Sequence, residues 1–125
     1  MRDASILIVE DDDEIRDFLS LVLDGEGYAS RAAVNGAAAL ELVEQAPPDL
    51  ILLDMRMPVM DGWAFVPAYR GRPGPHAPIV VLTAAADAEQ RAREVQADAY
   101  IGKPFNLTEL LTLVRRVLAE DASAA

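Results

Sequence analysis

The sequence predicts one α/β domain, residues 1–125, in which a parallel β-sheet is covered by helices on both faces. Three observations predict it. Short apolar runs at residues 6–9, 50–53 and 79–82 show no polar alternation, which is the pattern of strands buried on both sides of a parallel sheet. Each run gives way to a segment with apolar residues at helical spacing, and five such strand–helix pairs fit into about 120 of the 125 residues. The length and the 52% apolar content suffice for one hydrophobic core and leave little for a second.

The first strand stops at an acidic block, Glu10-Asp11-Asp12-Asp13-Glu14. Ile15, Phe18, Leu19, Val22 and Leu23 then share one helical face, and Gly25 and Gly27 end the helix. Residues 28–32 form a weaker strand candidate. After an Asn35-Gly36 turn, Ala37, Leu40 and Val43 mark a second helix, which Pro47-Pro48 terminates. The third strand, 50–53, ends in a carboxylate, Asp54, followed by turn chemistry in Met57-Pro58 and Asp61-Gly62. Asp54 should therefore sit where strand gives way to loop, because a charge beside four buried-type residues is tolerated only where the strand surfaces or a cation meets it. A third helix is predicted from about Asp61 to Tyr69, with Trp63 as a packing residue and Pro67 expected to kink the helix or end it early. The Gly/Pro-rich segment 71–78 is a loop in which His76 reads as solvated. A fourth strand, 79–82, finishes at Thr83. Residues 87–96 predict a helix of weak grip, with only Ala88, Ala92 and Val95 on its apolar stripe. A fifth strand, 99–102, ends at Lys103-Pro104. Asn106 caps a last helix carrying Leu107, Leu110, Leu111, Val114 and Leu118, and the final four residues are expected to fray.

Charge and composition narrow the function. Twenty-one acidic residues against eleven basic ones give a net charge of −10, which argues against direct binding to nucleic acid or to an anionic membrane and makes cations the natural ligands. The absence of cysteine excludes disulfides, thiolate metal sites and a thiol nucleophile. No apolar run is long enough for a signal peptide or a membrane span, which predicts a cytoplasmic protein, and no output domain is expected after residue 120.

Crossovers in parallel sheets are right-handed, so the C-terminal ends of all five strands lie along one edge. Strand one ends at Glu10 and Asp11, strand three at Asp54, strand four at Thr83 and strand five at Lys103. Every polar residue that interrupts a core run does so at that edge, where open α/β sheets bind ligands. Singly these residues are unremarkable: Asp12, Asp13 and Glu14 read as capping and dipole chemistry, Thr83 as an ordinary strand residue and Lys103 as a solvated cation. Their joint arrival around one crevice is the informative feature.

The motifs Ile-Leu-Ile-Val-Glu-Asp-Asp, Asp-Leu-Ile-Leu-Leu-Asp-Met-Arg-Met-Pro-Val-Met-Asp-Gly, Val-Val-Leu-Thr-Ala and Ala-Tyr-Ile-Gly-Lys-Pro-Phe together resemble a two-component response regulator receiver domain of the chemotaxis-regulator type, over about residues 4–120. The resemblance implies a doubly wound, flavodoxin-like sheet of strand order 2-1-3-4-5 with five helices. It implies that Asp54 accepts a phosphoryl group from the phosphohistidine of a histidine kinase or phosphotransfer protein, so that the protein catalyses its own phosphorylation and dephosphorylation without being an enzyme in the usual sense. Mg²⁺ or Mn²⁺ would be held by Asp11 directly, by Glu10 mainly through water, by Asp54 and by the main-chain carbonyl of Arg56. Lys103, Thr83 and the Ala84 amide would hold phosphoryl oxygens. Thr83 and Tyr100 would act as switch residues, altering the face made by helix four, strand five and helix five toward an unidentified protein target or a homodimer formed on phosphorylation. The Lys103-Pro104 bond resembles one that is cis in the family, and Arg56 and Ala85 match places that tune phosphate lifetime.

Two rival classes use similar residues. A haloacid-dehalogenase-type phosphatase shares the strand-end Asp, Thr, Lys and Mg²⁺, but needs a second Asp two positions on as general acid, where this chain has Arg56. A degenerate receiver, acting as a partner-binding module, would have lost Asp54, the acidic pair or Lys103, and all are present. Gln96 stands where Gly is common before the fifth strand, and with Pro67 and the loop before Pro78 it places the departures in helices three and four.

Overall fold

The computed structural model describes residues 4–124. Strands and helices alternate along the chain: β1 (Ser5–Val9), α1 (Asp13–Gly25), β2 (Ala29–Ala33), α2 (Gly36–Gln45), β3 (Leu50–Leu53), α3 (Gly62–Arg70), β4 (Ile79–Ala84), α4 (Ala88–Val95), β5 (Ala99–Lys103) and α5 (Leu107–Ala124). The five strands pair in parallel in the order β2-β1-β3-β4-β5, as the resemblance implies.

Period-two alternation splits each central strand between two cores. Ile6, Ile8, Leu50, Leu52, Val80, Leu82 and Ile101 face the layer of α1 and α5, packing with Leu19, Leu23, Leu110 and Val114. Leu7, Val9, Ile51, Leu53, Ile79 and Val81 face α2, α3 and α4, packing with Ala39, Phe65, Val66 and Ala92. Both faces being covered, β1, β3 and β4 read as unbroken apolar runs, and Ile6–Val9, Leu50–Leu53 and Ile79–Leu82 have no accessible surface.

The helix signals act as the residue types require. Asp12 caps α1 by accepting from the Ile15 N–H at 3.0 Å, Asn35 caps α2 through Ala38 at 2.9 Å, Asp61 caps α3 through Ala64 at 2.9 Å, and Asn106 accepts from Glu109 at 2.7 Å. Arg31 on β2 closes the other end of α2, its guanidinium donating to the carbonyls of Leu42 at 2.8 Å and Ala46 at 2.7 Å. All three stripe residues of α4, Ala88, Ala92 and Val95, are buried.

Three expectations are corrected. Phe18 is 48% exposed because the buried stripe of α1 narrows to Leu19 and Leu23. Leu107 is 43% exposed because it opens α5 a turn before the helix meets the sheet, while Leu113 and Val117 join the core in its place. Of the two outcomes expected of Pro67, the early end does not occur, since α3 continues to Arg70: a proline this late in a nine-residue helix removes one backbone bond, and the Pro67 carbonyl still accepts from Gly71 at 2.9 Å. The last helix runs to Ala124, and Ala125, the end of the segment expected to fray, lies outside the described residues.

Candidate functional site

The ladder that ends β1 and β3 carries the first carboxylates into place. Val9 pairs with Leu53, and one step further the Asp54 N–H donates to the Val9 carbonyl at 2.9 Å, while the Glu10 N–H donates to Ala33 at 3.0 Å. Glu10 and Asp54 thus emerge side by side at the C-terminal edge of the central strands, with Asp11 at the start of the loop. Carboxylate oxygens of Glu10, Asp11 and Asp54 lie within 4.8 Å of one another. Asp11 is exposed, whereas Glu10 and Asp54 are 1% and 6% exposed.

The opposing cation comes from β5. Thr83 pairs with Gly102 and Ala84 with Lys103, so the lysine leaves the sheet two strands away from Asp54 and its long side chain reaches back. Its Nζ donates to Glu10 Oε1 at 2.6 Å and lies 3.7 Å from Asp54 Oδ1. Lys103 is therefore engaged chiefly by Glu10. Gly102 is required here by close approach, since a Cβ on it would stand 2.4 Å from Ala85 Cα. That approach lets the Ala85 N–H donate to the Lys103 carbonyl at 3.1 Å. The Lys103-Pro104 bond is cis.

The loop between β3 and α3 forms another wall. The Gly62 N–H donates to Met55 at 2.9 Å and the Gly36 N–H donates to Met60 at 2.9 Å, which folds the loop back beside Asp54 and ties it to the start of α2. Gly62 packs so tightly on Met55 that a Cβ would fall 2.5 Å from its sulfur. At the tip, Val59, 85% exposed, takes φ 72°, a left-handed conformation that β-branched residues avoid.

Three carboxylates against one ammonium leave the crevice short of positive charge. Burial first, and then the neighbouring Glu10 carboxylate, push the Asp54 carboxyl up to about 7, with Lys103 pulling in the opposite direction. A further cation would relieve this. The donors are all oxygens with no imidazole or thiolate, the set that suits Mg²⁺ or Mn²⁺ and not zinc or copper.

Over residues 6–115 the chain matches the sequence model of the response regulator receiver domain. The chain belongs to that family. This receiver domain is 39% identical over 124 residues to the response regulator MprA of Mycobacterium tuberculosis, an alignment covering 94% of the chain and 54% of MprA, so the chain spans about half the length of that relative. Among solved structures it is similar to the chemotaxis response regulator CheY4 of Vibrio cholerae, with 35% identity, a TM-score of 0.84 and coverage of 93% of this chain and 99% of that one. It is equally similar to the signal receiver domain of a histidine kinase from Syntrophus aciditrophicus, with 34% identity, a TM-score of 0.84 and coverage of 94% and 91%.

Thr83 is buried at the end of β4, and Ala84, the next residue, is exposed. Tyr100 is 45% exposed and lines a groove of about 950 Å³ along α4, β5 and α5, which has none of the three carboxylates in its walls. His76 is exposed, but its ring packs edge-on against Tyr69 and its Nε2 lies 2.7 Å from the Arg72 carbonyl. Two residues were missed. Arg16 donates to the Glu10 carbonyl at 3.0 Å and pairs with Asp13, bracing the acidic turn; its i,i+3 spacing from Asp13 was the available signal. Trp63 is more than packing: the guanidinium groups of Arg56 and Arg91 each lie 5.5 Å from its ring centre, and its Nε1 donates to Glu94 at 2.8 Å. Among the described residues no helix is long and apolar enough to cross a membrane.

Proposed function

We propose that this chain is a phosphoacceptor receiver domain, spanning residues 1–125, that takes a phosphoryl group from the phosphohistidine of a histidine kinase or phosphotransfer protein onto Asp54. The observation that carries this reading is the meeting of Glu10, Asp11 and Asp54 within 4.8 Å, faced by Lys103. An Asp54 oxygen attacks phosphorus, the P–N bond of the donor breaks, and the donor imidazole leaves with the bonding electrons. Asp11 directly, Glu10 mainly through water, Asp54 and the Arg56 carbonyl would hold Mg²⁺ or Mn²⁺, which when bound would neutralise charge on the carboxylates and the phosphoryl oxygens. Lys103, released from Glu10, binds one phosphoryl oxygen and spreads the charge of a loose transition state. The Thr83 hydroxyl and the Ala84 amide take the others. Water later attacks the phosphoryl phosphorus, and the Asp54 carboxylate leaves. The output is a rearrangement of Thr83 and Tyr100 that changes the α4–β5–α5 face toward a cytoplasmic protein target or a second copy of the chain. Support for that surface comes from the groove beside Tyr100 and from the three small residues by which α4 grips the sheet.

Incubation with Mg²⁺ and acetyl phosphate followed by intact-mass measurement tests the reading. Wild type should gain one phosphoryl group and Asp54→Asn none. An unchanged mass would mean a partner-binding module, and turnover of unrelated phosphate esters would mean a phosphatase.

A further inference from the structure

Arg56 lies two residues beyond Asp54 on the β3–α3 loop and is exposed. It stands beside a crevice short of positive charge, in a chain of net charge −10, yet among the described residues it makes no hydrogen bond or ion pair. Its guanidinium is laid against the ring of Trp63. Trp63, on α3, is in turn fixed from α4: its N–H donates to Glu94 Oε1 at 2.8 Å, and Arg91, which donates to both Glu94 oxygens at 2.8 Å, lies against the same ring. The Trp63 N–H, and then Arg91, hold the Glu94 carboxyl below the usual carboxylate range, so the acceptor of this link stays ionised. One continuous bridge, Arg56 to Trp63 to Glu94, therefore runs from the phosphoacceptor loop to α4.

We propose that Trp63 is a positioning residue that parks Arg56 away from the Asp54 crevice, and that Glu94 makes the parking depend on where α4 sits. The inference rests on the phosphoacceptor reading. A parked guanidinium leaves the mouth of the crevice open to water. Once freed, it is the nearest unpaired cation on the loop, and it turns to the phosphoryl oxygens, for which its planar fork of donors is suited. There it occupies the approach of the attacking water, and the acyl phosphate lasts longer. A partner that displaces α4 or engages Glu94 would thus prolong the phosphorylated state that recruited it.

Dephosphorylation rates of chains loaded with acetyl phosphate test this, with folding checked by circular dichroism. An exposed cation–π contact shifts an equilibrium about two- to fivefold, so Trp63→Leu and Glu94→Ala should each slow phosphate loss by about that factor. Neither should alter the rate once Arg56→Ala is also present. Trp63→Phe, which keeps a ring and lacks the N–H, should behave as Glu94→Ala does and guards against misfolding of Trp63→Leu. Because Trp63 is the single tryptophan, Arg56→Ala and Glu94→Ala should each shift its fluorescence in unphosphorylated protein whose circular dichroism and urea midpoint match wild type, which separates a change at the ring from a loss of general stability. Equal slowing with and without Arg56, or no slowing by Glu94→Ala, would overturn the inference alone. Failure of the wild type to gain a phosphoryl group would overturn the phosphoacceptor reading and this inference together.

Discussion

The two edges of the sheet use the same residue type to opposite ends. At the N-terminal edge, Asp49 precedes β3 and Asp98 precedes β5, and each closes a two-bond clip on the first residue of the neighbouring strand. The Asp49 N–H donates to the Ser5 carbonyl at 2.7 Å while its carboxylate accepts from the Ser5 N–H at 2.7 Å. Asp98 does the same with Ile79, at 2.9 Å and 2.8 Å. These carboxylates receive backbone donors and fix strand register. At the C-terminal edge, Glu10, Asp11 and Asp54 crowd together and share a single ammonium. An aspartate at a strand end is structural or chemical according to how many donors the fold aims at it, and the deficit at the second edge is what an incoming cation and phosphoryl group would fill.

Substitutions at the two edges should separate these roles. The largest effect is Asp54→Asn, which should abolish phosphoryl incorporation from acetyl phosphate, while Asp98→Asn should leave it intact; intact-mass measurement reads both. Next, Asp98→Ala should lower unfolding free energy by about 1–2 kcal/mol in urea titrations, the cost of stranding the Ile79 N–H of a clip that is open to solvent on one side. The pH dependence should sharpen the contrast. In metal-free folded protein Asp54 binds its proton up to about pH 7, whereas in the unfolded chain it titrates near 3.8. Between those values the native state holds more protons, so this group's contribution makes stability fall as pH rises from about 4 to 7, and it vanishes below 3.8. Urea midpoints measured in EDTA should show that slope in wild type and a flatter profile in Asp54→Asn. The smallest effects concern the backbone: Val59→Gly and Gln96→Gly, at φ 72° and 53°, should each raise stability by about 0.5–1 kcal/mol.

Much of this was legible in the chain itself, for physical reasons. β1, β3 and β4 stood out because burial on both faces removes every polar residue from the run, so the first polar residue after it marks the strand end. That made Glu10, Asp54, Thr83 and Lys103 visible as one edge. The same logic failed at the other edge, where Asp49 and Asp98 are the same letter as Asp54 and only the backbone groups facing them distinguish their roles. Phe18 and Leu107 misled because helical spacing gives a direction and says nothing of how far the covering layer extends. The link between Trp63 and Glu94 joins residues 31 apart in sequence, on helices whose contact exists only after folding, and no local pattern announces it. Gln96 in a left-handed cap was unexpected, and the guanidinium of Arg70 donates to the adjoining carbonyls of Val95 and Gln96, helping to close that helix end.

Calorimetric titration with Mg²⁺ puts the contrast between the edges to its most direct test. One ion should bind to wild type and to Asp98→Asn with matching affinity, whereas Asp11→Asn and Asp54→Asn should each weaken binding by at least about tenfold. Undiminished binding to Asp11→Asn and Asp54→Asn, or an equal loss in Asp98→Asn, would contradict the account.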